Sequence, residues 1–200
     1  MGSEMCIRDR GGGVGVSCHG SHRIVGETSK IAMPECSIGL VPDVGGSFLL
    51  AKLPGNIGTF LGVTGKRMKA SDAIYCGFAD YFIPETKWED LKGKLFDTGN
   101  IDWIKKFQGS KEASEIENSF SQISEAMVDV STMNIESRLQ HPFFEKDLSA
   151  LRFNSPISVA YTISMLKMEK VRKSISDALD AEYSFTARSQ EFGDFQEGIR

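Results

Sequence analysis

The 200-residue chain has no run of about eighteen apolar residues, so no transmembrane helix is expected. Its richest apolar stretch, residues 38–63, is broken by Pro42, Asp43, Lys52, Pro54 and Asn56. It has no basic excess either. With 23 Lys and Arg against 27 Asp and Glu, the formal net charge is −4 and the pI near 5.5. That balance argues against a non-specific nucleic-acid binder, which carries a basic face. Cysteine is sparse and unpaired: Cys6, Cys18, Cys36 and Cys76 stand far apart with no CxxC. Such spacing suits neither a zinc site nor a disulfide framework and reads as reduced, intracellular thiols. The opening MGSEMCIRDR has no apolar h-region, so it is not a secretory signal, and its mixed charges make a poor transit peptide. Residues 1–10 are read as a leader foreign to the domain.

What is present divides the chain in two. Fourteen of the 20 glycines fall between Gly11 and Gly77, so a turn-dense front precedes a charged, helix-prone back. In the front, GGGVGVSCHGS reads as a turn opening a short helix. HRIVG and KIAMP read as short strands on either side of a turn at residues 26–30. PDVGG is a turn that starts a helix through SFLLAKL, followed by helices in NIGTFLGVTG and ASDAIYCGF and a strand in ADYFIP. Behind these come helices in PETKWEDLKGKLF and IDWIKKF, then a polar stretch over residues 108–122. Ser155 and Pro156 fit an N-cap with proline at the first helical position. The helix they open repeats Ile157, Ala160, Ile163 and Leu166 at a spacing of three, which predicts one buried face. A last helix over residues 174–192 is expected to bury Ile175, Ala178 and Leu179.

Chemistry-bearing residues gather in the front. The cluster Gly11-Gly12-Gly13-Val14-Gly15 fits no GxGxxG, and Gly62 to Arg67 is too short for a P-loop. Glycines at a helix start expose backbone N–H groups that suit a phosphate or the oxyanion of an attacked carbonyl. A tight structural turn accounts for them equally well. Glu35 and Asp43 each follow a proline and lie in apolar sequence, which favours partial burial and a raised pKa. For Asp43 the alternative is a cap on the next helix; for Glu35 it is plain surface exposure. His19 and His22 are three residues apart without a third ligand at suitable spacing, so a polar helix end is the better account than a metal site. Cys36 has no His–Asn/Asp arrangement to activate it and reads as a small buried residue. Ser17 lacks the last glycine of a GxSxG elbow. Trp88 and Trp103 follow helical patterning and are expected in packing.

Taken together, GGGVG, AMPECSIGLVPDVGGS, SPISVAYT and the closing DFQEGIR resemble the crotonase (enoyl-CoA hydratase/isomerase) superfamily. Within it they are most similar to the 3-hydroxyisobutyryl-CoA hydrolase branch. The resemblance runs from Gly11 to Arg200, and the family's chain is considerably longer. It implies an α/β crotonase-like fold of repeated β-β-α units with a helical C-terminal region. Residues 11–110 then form the C-terminal part of that core and residues 111–200 the helical region. It also implies that Gly12 supplies one backbone N–H of an oxyanion hole, that Glu35 in MPE is the principal catalytic carboxylate, and that Asp43 in PDVGG is its partner. The second oxyanion donor and most coenzyme A contacts belong to upstream segments in the family. Hydratases resemble GGGCE and use a second glutamate where this chain has Gly15, which tips the reading towards thioester hydrolysis. The implied partner is an acyl-CoA thioester, with no nucleic acid or membrane partner. Coenzyme A is part of the substrate, and no separate cofactor or metal is expected. Self-association of the trimer type is implied, and the 200-residue piece alone is expected to be inactive. The compartment is the bacterial cytoplasm, or the mitochondrial matrix for a eukaryotic source.

Overall fold

The computed structural model describes residues 12–199, so the leader reading for residues 1–10 lies outside the described residues. Helix α1 (Gly12–Ser17) leads into strand β1 (Ile24–Val25). A 3-10 turn, Glu35–Ile38, precedes helices α2 (Gly46–Ala51), α3 (Ile57–Thr64) and α4 (Ala70–Tyr75). Strand β2 (Tyr81–Phe82) pairs in parallel with β1, Ile24 opposite Tyr81 and Val25 opposite Phe82. Arg23 fastens this pair: its guanidinium reaches both oxygens of Asp80, at 2.9 and 2.6 Å. The turn after β1 closes on Ser29, whose Oγ accepts from the Gly26 amide. Beyond this turn KIAMP is not the short strand its sequence suggests. KIAMP makes a single antiparallel bridge, Ile31 with Met68, and so ties the front to the α3–α4 connection.

The back is helical: α5 (Trp88–Thr98), α6 (Asp102–Phe107), α7 (Glu115–Asn118), α8 (Phe120–Ala126), α9 (Ile135–Arg138) and α10 (Glu145–Phe153). The polar stretch 108–122 is anchored within by Ile116 and just beyond by Ile123, both buried and each contributing about 1.5–3 kcal/mol by burial, and Ser114 caps α7 while donating to Asp72. Helices α11 (Pro156–Leu166), α12 (Glu169–Lys173), α13 (Ile175–Phe192) and α14 (Phe195–Gly198) complete the chain. Ser155 caps α11 by accepting from the Ser158 amide, as its sequence predicts.

One apolar cluster runs from Val14 through Phe60 and Met127 to Ile163, so residues on both sides of position 110 share it. A smaller cluster joins Val41, Met165, Val171, Ala178 and Ala181, and a third holds Ile83, Leu91 and Ile104 with Trp88 and Trp103 packed on it. Helix α3 is buried along its whole length. A Cβ on Gly58 would run into the Leu50 carbonyl, so glycine is what lets α3 lie directly on α2.

Two expected helix faces are corrected. On α11, Ile157 is 47% exposed and Ala160 is exposed, while Ser158, Val159, Thr162, Ile163 and Met165 are buried. On α13, Ile175 and Leu179 are 41% and 44% exposed, and the inner face is Ala178, Ala181, Glu182 and Ser189. The inner face of α11 mixes the apolar Val159, Ile163 and Met165 with Ser158 and Thr162, and that of α13 is made of small or hydrogen-bonding side chains; Ile163 and Ala178 are inside as expected.

Candidate active site

Glu35 begins the 3-10 turn that follows Pro34. The turn ends at Gly39, where φ is +75°, a conformation glycine adopts without strain. Its backbone is bound on several sides. The Ser155 amide donates to the Cys36 carbonyl, and the Cys36 thiol donates to the Gly62 carbonyl on α3. From the C-terminal end, the backbone of Asp194 lies where a Cβ on Gly39 would stand, and Ile38 lies where one on Gly198 would stand. Ser155 Oγ donates to Asp194 at 2.5 Å and fixes that end segment.

The Glu35 side chain is only 4% exposed, and neither Oε has a hydrogen-bond partner among the described residues. Burial pushes its pKa up to about 8, with the negative charges of Asp43 and Glu182 adding to the rise. The nearness of its own backbone amide offsets this only in part. An unpartnered buried carboxyl is uncommon in a folded protein, which makes Glu35 a candidate for chemistry. The expectation of a buried, raised Glu35 holds, and surface exposure does not.

Asp43 is half-buried, and burial raises its carboxyl above the usual range while its own amide pulls the other way. It opens a turn in which the Gly46 amide donates to the Asp43 carbonyl. The N-cap of α2 is Gly45, and the side chain that takes the amides there is Glu182, so capping is not what Asp43 does. Between them Val44 has φ +52°, which is strained for a β-branched residue.

Gly12 starts α1, and a Cβ there would lie 3.8 Å from Val44 Cγ2, next in sequence to Asp43. Gly15, one turn further on, is packed harder. A Cβ on Gly15 would stand 2.5 Å from Val44 Cβ and 2.7 Å from the Val44 carbonyl oxygen. The place where a second acid would rise from α1 is therefore filled by Val44. Of the three candidates from the sequence, Gly12 lies against Val44, the neighbour of Asp43, and Glu35 is near enough to Asp43 for that charge to add to its rise.

Glu182 was not among the candidates. It is a buried acid on α13 that accepts from the Gly45 and Ser47 amides and from Ser47 Oγ. The signal was its place four residues after Ala178, on the inner face, where an acid needs partners. Cys36 is a buried thiol, pushed up to about 12 by burial, and so inert as a nucleophile. His22 stacks on Tyr81, and among the described residues no group of three or more His, Cys, Asp and Glu is placed to hold a metal. Among them, too, no helix is long and apolar enough to cross a membrane.

A family model described as Enoyl-CoA hydratase/isomerase matches residues 10–200. The chain belongs to this family. It is 33% identical over 204 residues to the mitochondrial 3-hydroxyisobutyryl-CoA hydrolase of Rattus norvegicus, spanning 95% of this chain and 53% of that protein. The human counterpart is 32% identical over 206 residues, with the same coverage. Among solved structures, an enoyl-CoA hydratase from Rhodobacter sphaeroides is 44% identical with a TM-score of 0.86, covering 96% of this chain and 56% of that one. A carnitinyl-CoA dehydratase from Mycobacterium thermoresistibile is 32% identical with a TM-score of 0.89, covering 96% and 57%. The α/β crotonase-like fold expected from the motifs is the fold of this family member. The chain spans about half the length of the curated relatives it matches.

Proposed function

We propose that the full-length gene product hydrolyses a short branched 3-hydroxyacyl-CoA, 3-hydroxyisobutyryl-CoA of valine breakdown, to the free acid and coenzyme A. The observation that carries this reading is Val44 packed over Gly15. Adding water across a double bond calls for two acid–base groups flanking it, and α1 has no room for the second. Hydrolysis needs one carboxylate at the carbonyl, a donor for its oxygen and a group to hold water or the 3-hydroxyl. Glu35, Gly12 and Asp43 are assigned to these tasks in that order.

In the water route, ionised Glu35 takes a proton from water as the oxygen adds to the thioester carbonyl. The carbonyl oxygen becomes an oxyanion held by the Gly12 N–H, a donor type whose removal costs about 2.7–4 kcal/mol of barrier. Collapse re-forms the C=O, breaks the C–S bond, and the leaving thiolate recovers the proton from Glu35. In the nucleophilic route Glu35 itself adds to the carbonyl, thiolate leaves, and water cleaves the resulting anhydride. Both routes use the same buried carboxylate and the same oxyanion donor.

Relatives named as hydratases support a second reading, water addition to an enoyl-CoA. A non-catalytic binding protein is disfavoured by the cost of burying Glu35 without a partner. The reading requires no cofactor beyond the coenzyme A of the substrate, and no nucleic acid or membrane partner; trimer-type self-association belongs to it as a family trait. We place the protein in the bacterial cytoplasm, or in the mitochondrial matrix for a eukaryotic source, the compartment in the names of the curated relatives.

The test follows thiol release from 3-hydroxyisobutyryl-CoA and loss of the conjugated double bond of crotonyl-CoA, for wild type and Glu35→Gln. Thiol release that falls below about a tenth in the variant, with crotonyl-CoA untouched, is expected. Crotonyl-CoA hydration without thiol release would overturn the hydrolase reading, and a variant retaining more than about a tenth of the activity would overturn the role of Glu35.

A further inference from the structure

The turn that carries Asp43 is held by an acid more than 130 residues later in the chain. Glu182 is 3% exposed on α13 and spends both oxygens on this turn. Its Oε2 accepts from the Gly45 amide at 3.0 Å, and its Oε1 from the Ser47 amide at 3.1 Å and Ser47 Oγ at 2.5 Å. The Gly46 amide between them donates to the Asp43 carbonyl at 2.8 Å. Three consecutive amides are thus committed, two to Glu182 and one to Asp43.

These bonds fall where the backbone needs holding. Val44 and Gly45 both have positive φ, +52° and +75°, and a left-handed valine costs about 1–3 kcal/mol unless its surroundings impose it. Hydrogen bonds to a charged acceptor are stronger than neutral ones and are geometrically demanding. A helix end with no side-chain cap would satisfy its first amides with water, but here that surface is buried and Glu182 takes water's place.

We propose that Glu182 is a positioning residue that fixes the Asp43–Ser47 turn, and through it the placement of Asp43 against Glu35, without touching substrate. The proposal rests on the reading of Asp43 as Glu35's partner in an acyl-CoA reaction. A side chain on α13 thereby governs the geometry of an acid pair near the front of the chain.

The test uses the full-length gene product and whichever acyl-CoA reaction the wild type performs. The wild type alone thus decides between hydrolysis and hydration, and the variant-to-wild-type ratio decides the role of Glu182. Glu182→Gln keeps the shape but turns an NH2 group onto an amide donor. It is expected to lower kcat by about 10- to 100-fold with KM within about twofold, since a misplacement near 1 Å has that reach. In an Asp43→Asn background the same change is expected to lower kcat by no more than about threefold, because the two act through one geometry. A kcat within twofold of wild type, a loss confined to KM, or effects that multiply in the double variant would each overturn the proposal. Should Glu182→Gln fail to fold, Ser47→Ala removes one of the three donors and leaves both amide bonds. A kcat loss of about threefold or more that disappears in the Asp43→Asn background is then expected, and wild-type kcat overturns the proposal.

Discussion

In the proposed hydrolysis, Glu35 couples activity and stability to the same proton. Its carboxyl is ordinary in the unfolded chain, near 4.5, and pushed up to about 8 in the folded one. Between these values the folded state holds a proton that the unfolded state has released, so stability must fall as pH rises from about 4.5 to 8 and level off above that. The loss is on the order of 4 kcal/mol across the window for a group this deeply buried. Glu35→Gln has no such proton. The stability of the variant minus that of wild type, from urea unfolding midpoints, is therefore expected to grow steadily from pH 4.5 to 8. The burial of Asp43 and Glu182 acts in both proteins and cancels in the difference, while their repulsion with ionised Glu35 is lost in the variant and belongs to the same effect. A difference that stays flat with pH would show Glu35 to be solvated or paired. The same ionisation is the one the proposed hydrolysis needs, so on that reading the state that reacts is the less stable one. Burial of Glu35 was legible from its apolar neighbours Ile31, Ala32 and Met33; its lack of a partner was not, because that depends on residues far away in sequence.

Turns could be read locally, whereas helix faces could not. PDVGG before α2 and Ser155-Pro156 before α11 work through their own backbone chemistry, which sequence carries directly. The inner faces of α11 and α13 are set by what they meet. Thr162 lies on the Cys36 thiol and Glu182 on the Gly45 amide, so reading apolar residues along each helix found the buried Ile163 and Ala178 but also selected Ile157, Ile175 and Leu179, which are exposed. The fit of α1 on Val44 belongs to the same class of contact. Gly15→Glu, the residue that would convert the motif to the hydratase type, is expected to destabilise the fold by about 1–3 kcal/mol through overpacking. It is expected to give no hydration of crotonyl-CoA, since the new side chain has no room to reach the site. Val44→Gly in the same background relieves the Cβ contact and the positive φ but leaves the carbonyl in place, so partial recovery of the urea midpoint is expected. A stable Gly15→Glu variant that hydrates crotonyl-CoA would mean that α1 moves freely off the turn and that Val44 does not select the chemistry.

Across the molecule, both acids are held by the distal end of the chain: Asp43 by Glu182, and the Glu35 turn by the segment from Asp194 to Gly198. The closing DFQEGIR signalled family membership in the sequence, but its physical work is a contact that no local pattern encodes. Gly198 lies on the Ile38 backbone so closely that a Cβ would come 2.5 Å from the Ile38 carbonyl carbon. Neither partner can yield, since one is a glycine held within α14 and the other ends the turn that carries Glu35. Gly198→Val should therefore lift the end segment rather than compress it. The main apolar cluster does not include this segment, so the urea midpoint is expected to change by no more than about 1 kcal/mol in stability. Amide exchange over residues 194–199 is expected to accelerate, and kcat to fall by about tenfold as the Glu35 turn loses one of its walls. Faster exchange with undiminished kcat would separate the end segment from the chemistry and leave Ser155, Gly62 and Thr162 as the supports that matter. Unchanged exchange would place the contact itself in error, and with it the account of why a glycine stands at that position.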